Sequence, residues 1–244
     1  MKVIIIGSNG KMGHELEKLI LAETDSVQIE AKVDITNENG YTHISQVTEK
    51  ADCIIDFSSH LATEEICEYA EKTKTAVIFA ATGQTNEEKQ MIKSLSKYVP
   101  VFFSANMSVG VALLIELAKK AAAAMPDADI EIVEAHHNRK LDAPSGTALM
   151  LADAIKQVRN KAKFVLGRNG HAKREKDDIG ISSIRMGNIV GMHEVMIGTD
   201  AQTITIKHEA HSRALFAEGA ISASKFLIKQ PAGLYTMQDM IADR

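Results

Sequence analysis

Residues 134–148 bring several chemically useful side chains together in the order Glu-Ala-His-His-Asn-Arg-Lys-Leu-Asp-Ala-Pro-Ser-Gly-Thr-Ala. Histidine is the side chain whose ordinary pKa suits proton transfer near neutral pH, so His136 is the candidate proton donor. Lys140 or Arg139 could add a full positive charge beside it. The segment is therefore expected to pass a proton to a small anionic molecule.

A helix is expected to begin within the same segment. Ser145 follows a proline and has the side chain of a helix N-cap, which leaves the amides of Gly146 and Thr147 facing outward. Such amides bind anions, because the first turn of a helix has unpaired N–H groups. We expect these amides and Lys140 to hold a carboxylate.

The neighbouring histidine and aspartate are assigned lesser parts. His137 is expected to orient His136, and Asp142 is expected to fix the loop rather than act as an acid. A metal site on the two histidines is not expected, because adjacent strand residues point to opposite faces of a sheet.

A glycine-rich turn follows the first apolar run of the chain. Gly7 permits a tight exit from a strand, Gly10 lets backbone amides approach a pyrophosphate, and Gly13 lets the next helix pack close to the strand. The spacing is G-x-x-G-x-x-G rather than the more familiar G-x-G-x-x-G. The turn therefore predicts a dinucleotide site only because a strand precedes it and a helix follows it. The other predicted cofactor-binding residues of the turn are Ser8, Asn9, Lys11 and Met12.

Asp34 ends the second predicted strand, where an acid can bind the adenosine ribose hydroxyls. A carboxylate there suits NADH, whereas Lys11 could pair with the 2′-phosphate of NADPH or be an ordinary surface lysine. The sequence therefore predicts that both NADH and NADPH are used.

Two later turns are expected at the carboxyl ends of parallel strands, where ligands bind on open α/β sheets. They are interpreted as contacts on the nicotinamide side of the cofactor, with plain connecting loops as the alternative. Their residues are Ala81, Thr82 and Gly83 in one turn, and Ser104, Ala105, Asn106 and Met107 in the other.

The elements that position these residues divide the chain in two. Up to residue 106, short β-branched runs alternate with helical patterns, which predicts a doubly wound parallel sheet of the Rossmann type. After a long helix over residues 109–124, the runs 181–185, 194–198 and 202–207 follow one another without a helix, which predicts a mixed sheet. The helical pattern 213–229 is expected to return to the first domain.

The fold class is therefore α/β, with a Rossmann-like domain and a second mixed α/β domain. The expected dinucleotide-binding domain is 1–106 completed by 213–244, and the expected substrate-binding and oligomerisation domain is 107–212. The charged stretch 167–180 is interpreted as a solvated surface loop, with a mobile lid as the alternative.

Bulk composition excludes several classes of protein. A net charge of -4 over 244 residues gives no basic field for nucleic acid or an anionic membrane. The first apolar run, residues 3–6, is too short for a signal peptide or a membrane span. The two cysteines lie fourteen positions apart and match neither a zinc site nor a disulfide scaffold, so we expect a cytoplasmic protein without a metal.

Taken together, these motifs resemble the 4-hydroxy-tetrahydrodipicolinate reductase (dihydrodipicolinate reductase) family. The likeness covers nearly the whole chain and is most specific at His-His-x-x-Lys-x-Asp-Ala-Pro-Ser-Gly-Thr. It also rests on segments at residues 7–13, 81–83, 104–111, 185–193 and 216–220.

The resemblance implies a cytoplasmic homotetramer that reduces a small cyclic dicarboxylate with NADH or NADPH in diaminopimelate and lysine biosynthesis. It implies that His136 is the acid, and that His137, Lys140, Gly146 and Thr147 hold a substrate carboxylate. Some relatives have Arg at the position of Lys11 and Glu-Arg at Asp34-Ile35, so strict NADPH preference is not expected here.

Two other functions stay open at this point: another two-domain amino-acid-pathway dehydrogenase, and a regulator that senses a dinucleotide without turning it over. A regulator would need neither the proton donor nor the carboxylate-binding residues at 136–147.

Overall fold

A computed structural model describes residues 1–22, 26–38 and 40–243. It contains two compact units. One is formed by Met1–Ser108 together with the C-terminal segment from Arg213 onward, and the other by Val109–Ser212. The boundary between the units follows Ser108, two residues beyond the expected boundary, so Met107 and Ser108 lie in the first unit.

The first unit is built on a six-stranded parallel sheet in the order β11-β5-β4-β3-β1-β2. The strands are β1 (Lys2–Ile6), β2 (Gln28–Val33), β3 (Cys53–Asp56), β4 (Ala76–Phe79), β5 (Pro100–Phe103) and β11 (Gly233–Tyr235). The central strands are apolar runs buried on both faces, which is the pattern of a parallel sheet covered on both sides.

Helices cover both faces of this sheet. They are α1 (Lys11–Ala22), α2 (Thr63–Thr73), α3 (Asn86–Leu95), α6 (Ala214–Leu227) and α7 (Met237–Ala242). One core joins β1, β3 and β4 to α2 and α3. On the other face α1 packs against α6, and Phe102 meets Phe226 edge to face at 6.4 Å. Because β2 and β3 lie on opposite sides of β1, the sheet has a topological switch point beside β1.

The second unit has a mixed five-stranded sheet in the order β10-β9-β6-β8-β7. Its strands are β6 (Asp129–His136), β7 (Lys163–Leu166), β8 (Asp178–Arg185), β9 (Gly191–Thr199) and β10 (Gln202–Ala210), and its helices are α4 (Val109–Ala124) and α5 (Gly146–Val158). β8 is parallel to β6, whereas β9 is antiparallel to it. The core lies between one face of this sheet and the two helices.

The predicted fold class is confirmed in both units, but three short elements were not predicted. β7 is a half-exposed edge strand, β11 has three residues, and α7 has six residues and begins at a Thr236 capping box with Asp239. Short elements of this kind carry too few residues to show a hydrophobic period.

The interpretation of residues 167–180 as a solvated loop was wrong at its C-terminal end, because β8 begins at Asp178. The charges of this stretch are also not simply solvated. Arg168 pairs with Asp178 at 3.2 Å, and Arg174 pairs with Glu131 and donates to the backbone oxygen of Asp178 at 2.6 Å. These contacts hold the stretch against β6 and the start of β8.

Candidate functional site

The glycine turn after β1 has a backbone that other residues could not copy. Gly7 has φ +78°, and a Cβ there would lie 2.8 Å from the backbone of Ser58. A Cβ on Gly13 would lie 2.3 Å from the oxygen of Gly7. The two glycines therefore allow α1 to begin directly against the turn, and the first turn of a helix has unpaired N–H groups of the kind that bind a pyrophosphate.

The carboxylate of Asp34 is joined to this turn. It accepts hydrogen bonds from the amide of Asn9 at 3.0 Å and from the amide and hydroxyl of Thr36 at 2.9 and 2.7 Å. Burial raises the pKa of Asp34, but the hydrogen bonds from Thr36 and Asn9 more than offset it and lower the pKa. An ionised carboxylate therefore lies beside the position predicted for the adenosine ribose.

A mostly apolar groove of about 270 Å³ opens next to Asp34. Gly7, Asp34, Ile35, Ile44 and Leu61 are among the residues that line it. Two of these residues, Ile35 and Leu61, present large apolar side chains that are more than three-quarters exposed. Its place beside Asp34 makes this groove the candidate position for the adenine ring.

A second cleft of about 390 Å³ is lined by five of the remaining predicted cofactor residues. Lys11, Met12, Ala105, Asn106 and Met107 line it, and Phe57, Ala80, Arg213 and Phe216 complete it. Ser104 stands behind it, where its hydroxyl donates to the backbone oxygen of Asn106 at 2.7 Å. Arg213 adds a cation that the sequence did not assign to the cofactor.

The predicted residues of the turn after β4, and Ser8 in the glycine turn, do not line this cleft. Ala81 is buried, and its oxygen accepts a hydrogen bond from the Gln84 side chain at 3.0 Å. Thr82 is exposed, and Gly83 has φ +93° beside the ring of His60. Ser8 is also buried, at 2 % exposure, so it contributes to the turn through its backbone.

His136 lies at the end of β6, and its ring is held by a carboxylate from the same strand. The His136 Nδ1 atom is 2.5 Å from the Glu134 Oε2 atom. The two side chains share one face of the sheet because they are two positions apart on a strand. Glu134 is completely buried, so this hydrogen bond is made away from water.

Arg185, at the end of β8, makes a two-pronged contact with the same carboxylate. Its Nη1 and Nη2 atoms donate to the two oxygens of Glu134 at 2.9 and 2.8 Å. Burial raises the pKa of Glu134, but the hydrogen bonds from Arg185 and His136 more than offset it and lower the pKa to about 2. Glu134 is therefore ionised throughout the working pH range, and Arg185 supplies the counter-charge.

Ser145 is the N-cap of α5, as the sequence predicts, because its hydroxyl accepts from the amide of Ala148 at 3.2 Å. The same hydroxyl lies 3.0 Å from the Nε2 atom of His193, and the Ser145 amide donates to Glu134 at 3.2 Å. Burial and the nearby His136 lower the pKa of His193 to about 4, so His193 is neutral near pH 7. Ser145 is thus held by neutral His193 and by ionised Glu134, and these contacts fix the start of α5 beside His136.

The other predicted residues border this cluster. Lys140 pairs with Asp142 at 2.8 Å, and this contact lowers the pKa of Asp142. Gly146 is exposed with open space where a Cβ would be, while His137 and Thr147 are half-buried. The other candidate cation, Arg139, is exposed and donates to the Asn188 side chain at 2.6 Å.

Sequence reasoning missed Glu134, Arg185 and His193 as members of the site. Glu134 could have been found from its spacing, since it precedes His136 by two positions on a predicted strand. Arg185 and His193 carry no such local signal, because the strand pairing of β6 with β8 and β9 brings them in.

No group of three or more His, Cys, Asp or Glu side chains is placed to hold a metal ion among the described residues. Across the same residues, no helix is both long and apolar enough to cross a bilayer.

Comparison with known proteins gives matches along the entire chain. Residues 1–107 match the family model described as "Dihydrodipicolinate reductase, N-terminus", and residues 110–241 match the corresponding C-terminus model. A 4-hydroxy-tetrahydrodipicolinate reductase from Caldanaerobacter subterraneus subsp. tengcongensis is 45% identical over 99% of this chain and 98% of its own. One from Sulfurovum sp. is 41% identical over 98% of each chain.

Two solved structures share the fold. A dipicolinate-bound dihydrodipicolinate reductase from Paenisporosarcina sp. superimposes with a TM-score of 0.82 at 24% identity, covering 97% of both chains. A diaminopimelate (DAP) dehydrogenase from C. glutamicum in complex with DAP gives a TM-score of 0.59 at 12% identity, covering 98% of this chain and 93% of its own.

Proposed function

Because this chain belongs to the dihydrodipicolinate reductase family, we propose that it reduces 4-hydroxy-tetrahydrodipicolinate, by way of dihydrodipicolinate, to tetrahydrodipicolinate at the His136 site. The observation that carries the proposal is the cluster around His136. A buried, ionised carboxylate holds the ring, and a capped helix start and Lys140 border it. A cyclic dicarboxylate offers a carbon to be protonated and a carboxylate to be bound, which matches both parts of the cluster.

The residues of the first unit fit a dinucleotide. The backbone at Gly7 and Gly13 leaves a cradle that a Cβ would fill, and the Asp34 carboxylate stands beside it. A bound NADH or NADPH supplies the hydride for the reduction.

We propose that hydride reaches C4 of the unsaturated ring imine, so that electrons move toward the ring nitrogen. His136 then gives its proton to C3, directly or through a water molecule. Lys140 and the amides of Gly146 and Thr147 bind a carboxylate of the ring, aided by His137 and the Ser145 cap. Fixed charges and amides that face the substrate lower the barrier by holding it in one orientation.

Use of both cofactors is part of the proposal. Asp34 suits the ribose hydroxyls of NADH, because its carboxylate is ionised and anchored by Asn9 and Thr36. Lys11 and Arg213 line the neighbouring cleft and offer positive charge to a cofactor phosphate. We expect turnover with NADH and with NADPH, measured as kcat/KM for each.

A cytoplasmic homotetramer is also proposed. The face of the second sheet away from α4 and α5 carries three half-buried apolar side chains and an exposed one, namely Val133, Met192 and Met196, and Ile184. An interface with other copies would bury them. Light scattering on the purified protein tests this, since a monomer at working concentration would contradict it.

The activity is tested by coupling the protein to the preceding synthase. Pyruvate, aspartate semialdehyde, the synthase and NADH or NADPH are mixed, and loss of reduced nicotinamide absorbance is followed. We expect oxidation that depends on the synthase. Oxidation without the synthase would favour another dehydrogenase, and binding without oxidation would favour a dinucleotide sensor.

A further inference from the structure

Glu134 makes four hydrogen bonds in the second unit, and the reaction proposed so far assigns it no atom that meets the substrate. Its Oε2 atom accepts from His136 and Arg185, and its Oε1 atom accepts from Arg185 and the Ser145 amide. A completely buried carboxylate is costly unless such partners are present. Both oxygens are engaged, so Glu134 cannot turn toward a ligand and acts only on what it touches.

The contact with His136 decides which ring nitrogen is available. Since Glu134 is ionised, it can only accept, and the Nδ1 atom must therefore carry a proton. The opposite ring atom, Nε2, is left for other contacts. It faces Gly191, where a Cβ would come within 3.2 Å, so the absence of a side chain there keeps room at Nε2.

We propose that Glu134, held by Arg185, is the positioning residue that fixes the His136 ring through Nδ1, so that Nε2 delivers the proton. The proposal rests on the proposed function, because it assigns the atom that acts in that reaction. Glu134 touches His136 and not the substrate. It orients the ring and stabilises its protonated form, as a buried orienting carboxylate does in other histidine-dependent sites.

The proton balance of this step is simple. The Nε2–H bond of the imidazolium breaks, and a C–H bond forms at C3 with the electron pair of the enamine. The His136 imidazole is left neutral, with its proton on Nδ1, and this N–H still donates a hydrogen bond to ionised Glu134. A proton from solvent restores the imidazolium before the next turnover.

Glu134→Gln tests the proposal in the synthase-coupled assay. The amide is neutral and can offer an N–H to Nδ1, so it removes the charge and permits the wrong tautomer. We expect kcat to fall about 10- to 100-fold, while KM for NADH or NADPH stays within about twofold. We also expect the alkaline limb of the kcat/KM profile to move to lower pH, because the negative charge beside the ring is lost.

Glu131→Gln is the matched control, because Glu131 lies on the same strand and also pairs with an arginine, Arg174, but on the opposite face of the sheet. It should leave kcat and the pH profile unchanged. Equal losses in both variants would mean that Glu134 serves only the fold, and would overturn the proposal.

A second measurement does not depend on turnover. Nitrogen-15 NMR of histidine-labelled wild-type protein should show a His136 resonance with a protonated Nδ1 and a strongly deshielded proton. The resonance is assigned by its absence from the spectrum of His136→Gln. The proposal is overturned if Nδ1 lacks a proton.

Gly191→Ala supplies a third result that leaves the Glu134 contacts in place. Its added methyl crowds Nε2, so kcat should fall several-fold with the Nδ1 signal retained. Unchanged kcat would show that Nε2 is not the reacting atom. A wild-type protein without synthase-dependent oxidation would instead reject the proposed function itself, so the two failures are distinguishable.

Discussion

At the scale of single residues, the proposed chemistry depends on two carboxylates that are kept ionised by the groups that donate hydrogen bonds to them. Glu134 is ionised because Arg185 meets both of its oxygens, and Asp34 is ionised because Asn9 and Thr36 donate to it. His136 and Lys140 could be chosen from the sequence, because residue type and local spacing identify them. The Arg185 contact could not, because it joins residues 51 positions apart through the pairing of β6 with β8.

Lys140→Ala should weaken substrate binding more than turnover. A hydrogen-bonded charge to a carboxylate contributes about 1.5–3 kcal/mol, so KM for the substrate should rise about 10- to 100-fold with a smaller change in kcat. Steady-state kinetics measure the change. Arg139→Ala is the control and should leave KM unchanged, because the Arg139 side chain is bound to Asn188. An unchanged KM in Lys140→Ala would show that Lys140 does not bind the substrate.

Asp56 makes a different prediction, because its carboxyl is buried at the end of β3. Its Oδ2 atom has no hydrogen-bond partner among the described residues, and burial raises its pKa to about 6 despite hydrogen bonds from Ser58. The folded protein then holds this proton to higher pH than the unfolded chain does, so the contribution to stability falls as pH rises from about 4 to about 6. The loss amounts to about 3 kcal/mol.

Urea unfolding of Asp56→Asn at pH 4 and pH 7 tests this. The substitution should raise the free energy of unfolding relative to wild type at pH 7 by more than it does at pH 4. Asp52→Asn, which alters an exposed carboxylate just before β3, is the control. Equal effects at both pH values would contradict the expected ionisation.

At the scale of elements, both candidate sites use a strand that ends beside the start of a helix. β1 leads through the glycine turn to α1, and Ser145 caps α5 close to the end of β6. Both helix starts could be predicted, because Gly, Ser and Pro mark such turns locally. β7, β11 and α7 could not, because their formation depends on neighbours that already exist in the fold rather than on their own pattern.

Gly219 in α6 tests how closely this helix must approach the turn after β5. A Cβ there would lie 1.7 Å from the backbone oxygen of Met107, so Gly219→Ala must displace the helix or the turn. We expect a loss of about 1–3 kcal/mol in unfolding free energy and weaker NADH binding, by urea unfolding and fluorescence titration. Glu218→Ala, at the adjacent exposed position, should leave the free energy of unfolding nearly unchanged. An equally small effect of Gly219→Ala would contradict the close approach of α6 to the turn.

At the scale of the whole molecule, the sequence already predicted the family and the oxidoreductase class, and these predictions are confirmed. The parallel sheet could be predicted because its buried strands are continuous apolar runs, and the mixed sheet because its last three strands lack helices between them. Which residues perform the reaction stays a proposal, and His136 is its central member.

The most direct test is His136→Gln in the synthase-coupled assay, with His171→Gln as the control at an exposed histidine of the same unit. We predict that kcat falls by about 10²- to 10⁴-fold in His136→Gln, because a positioned proton donor contributes that much. NADH and NADPH affinity should not change, and His171→Gln should behave as wild type. Full turnover by His136→Gln would contradict the account.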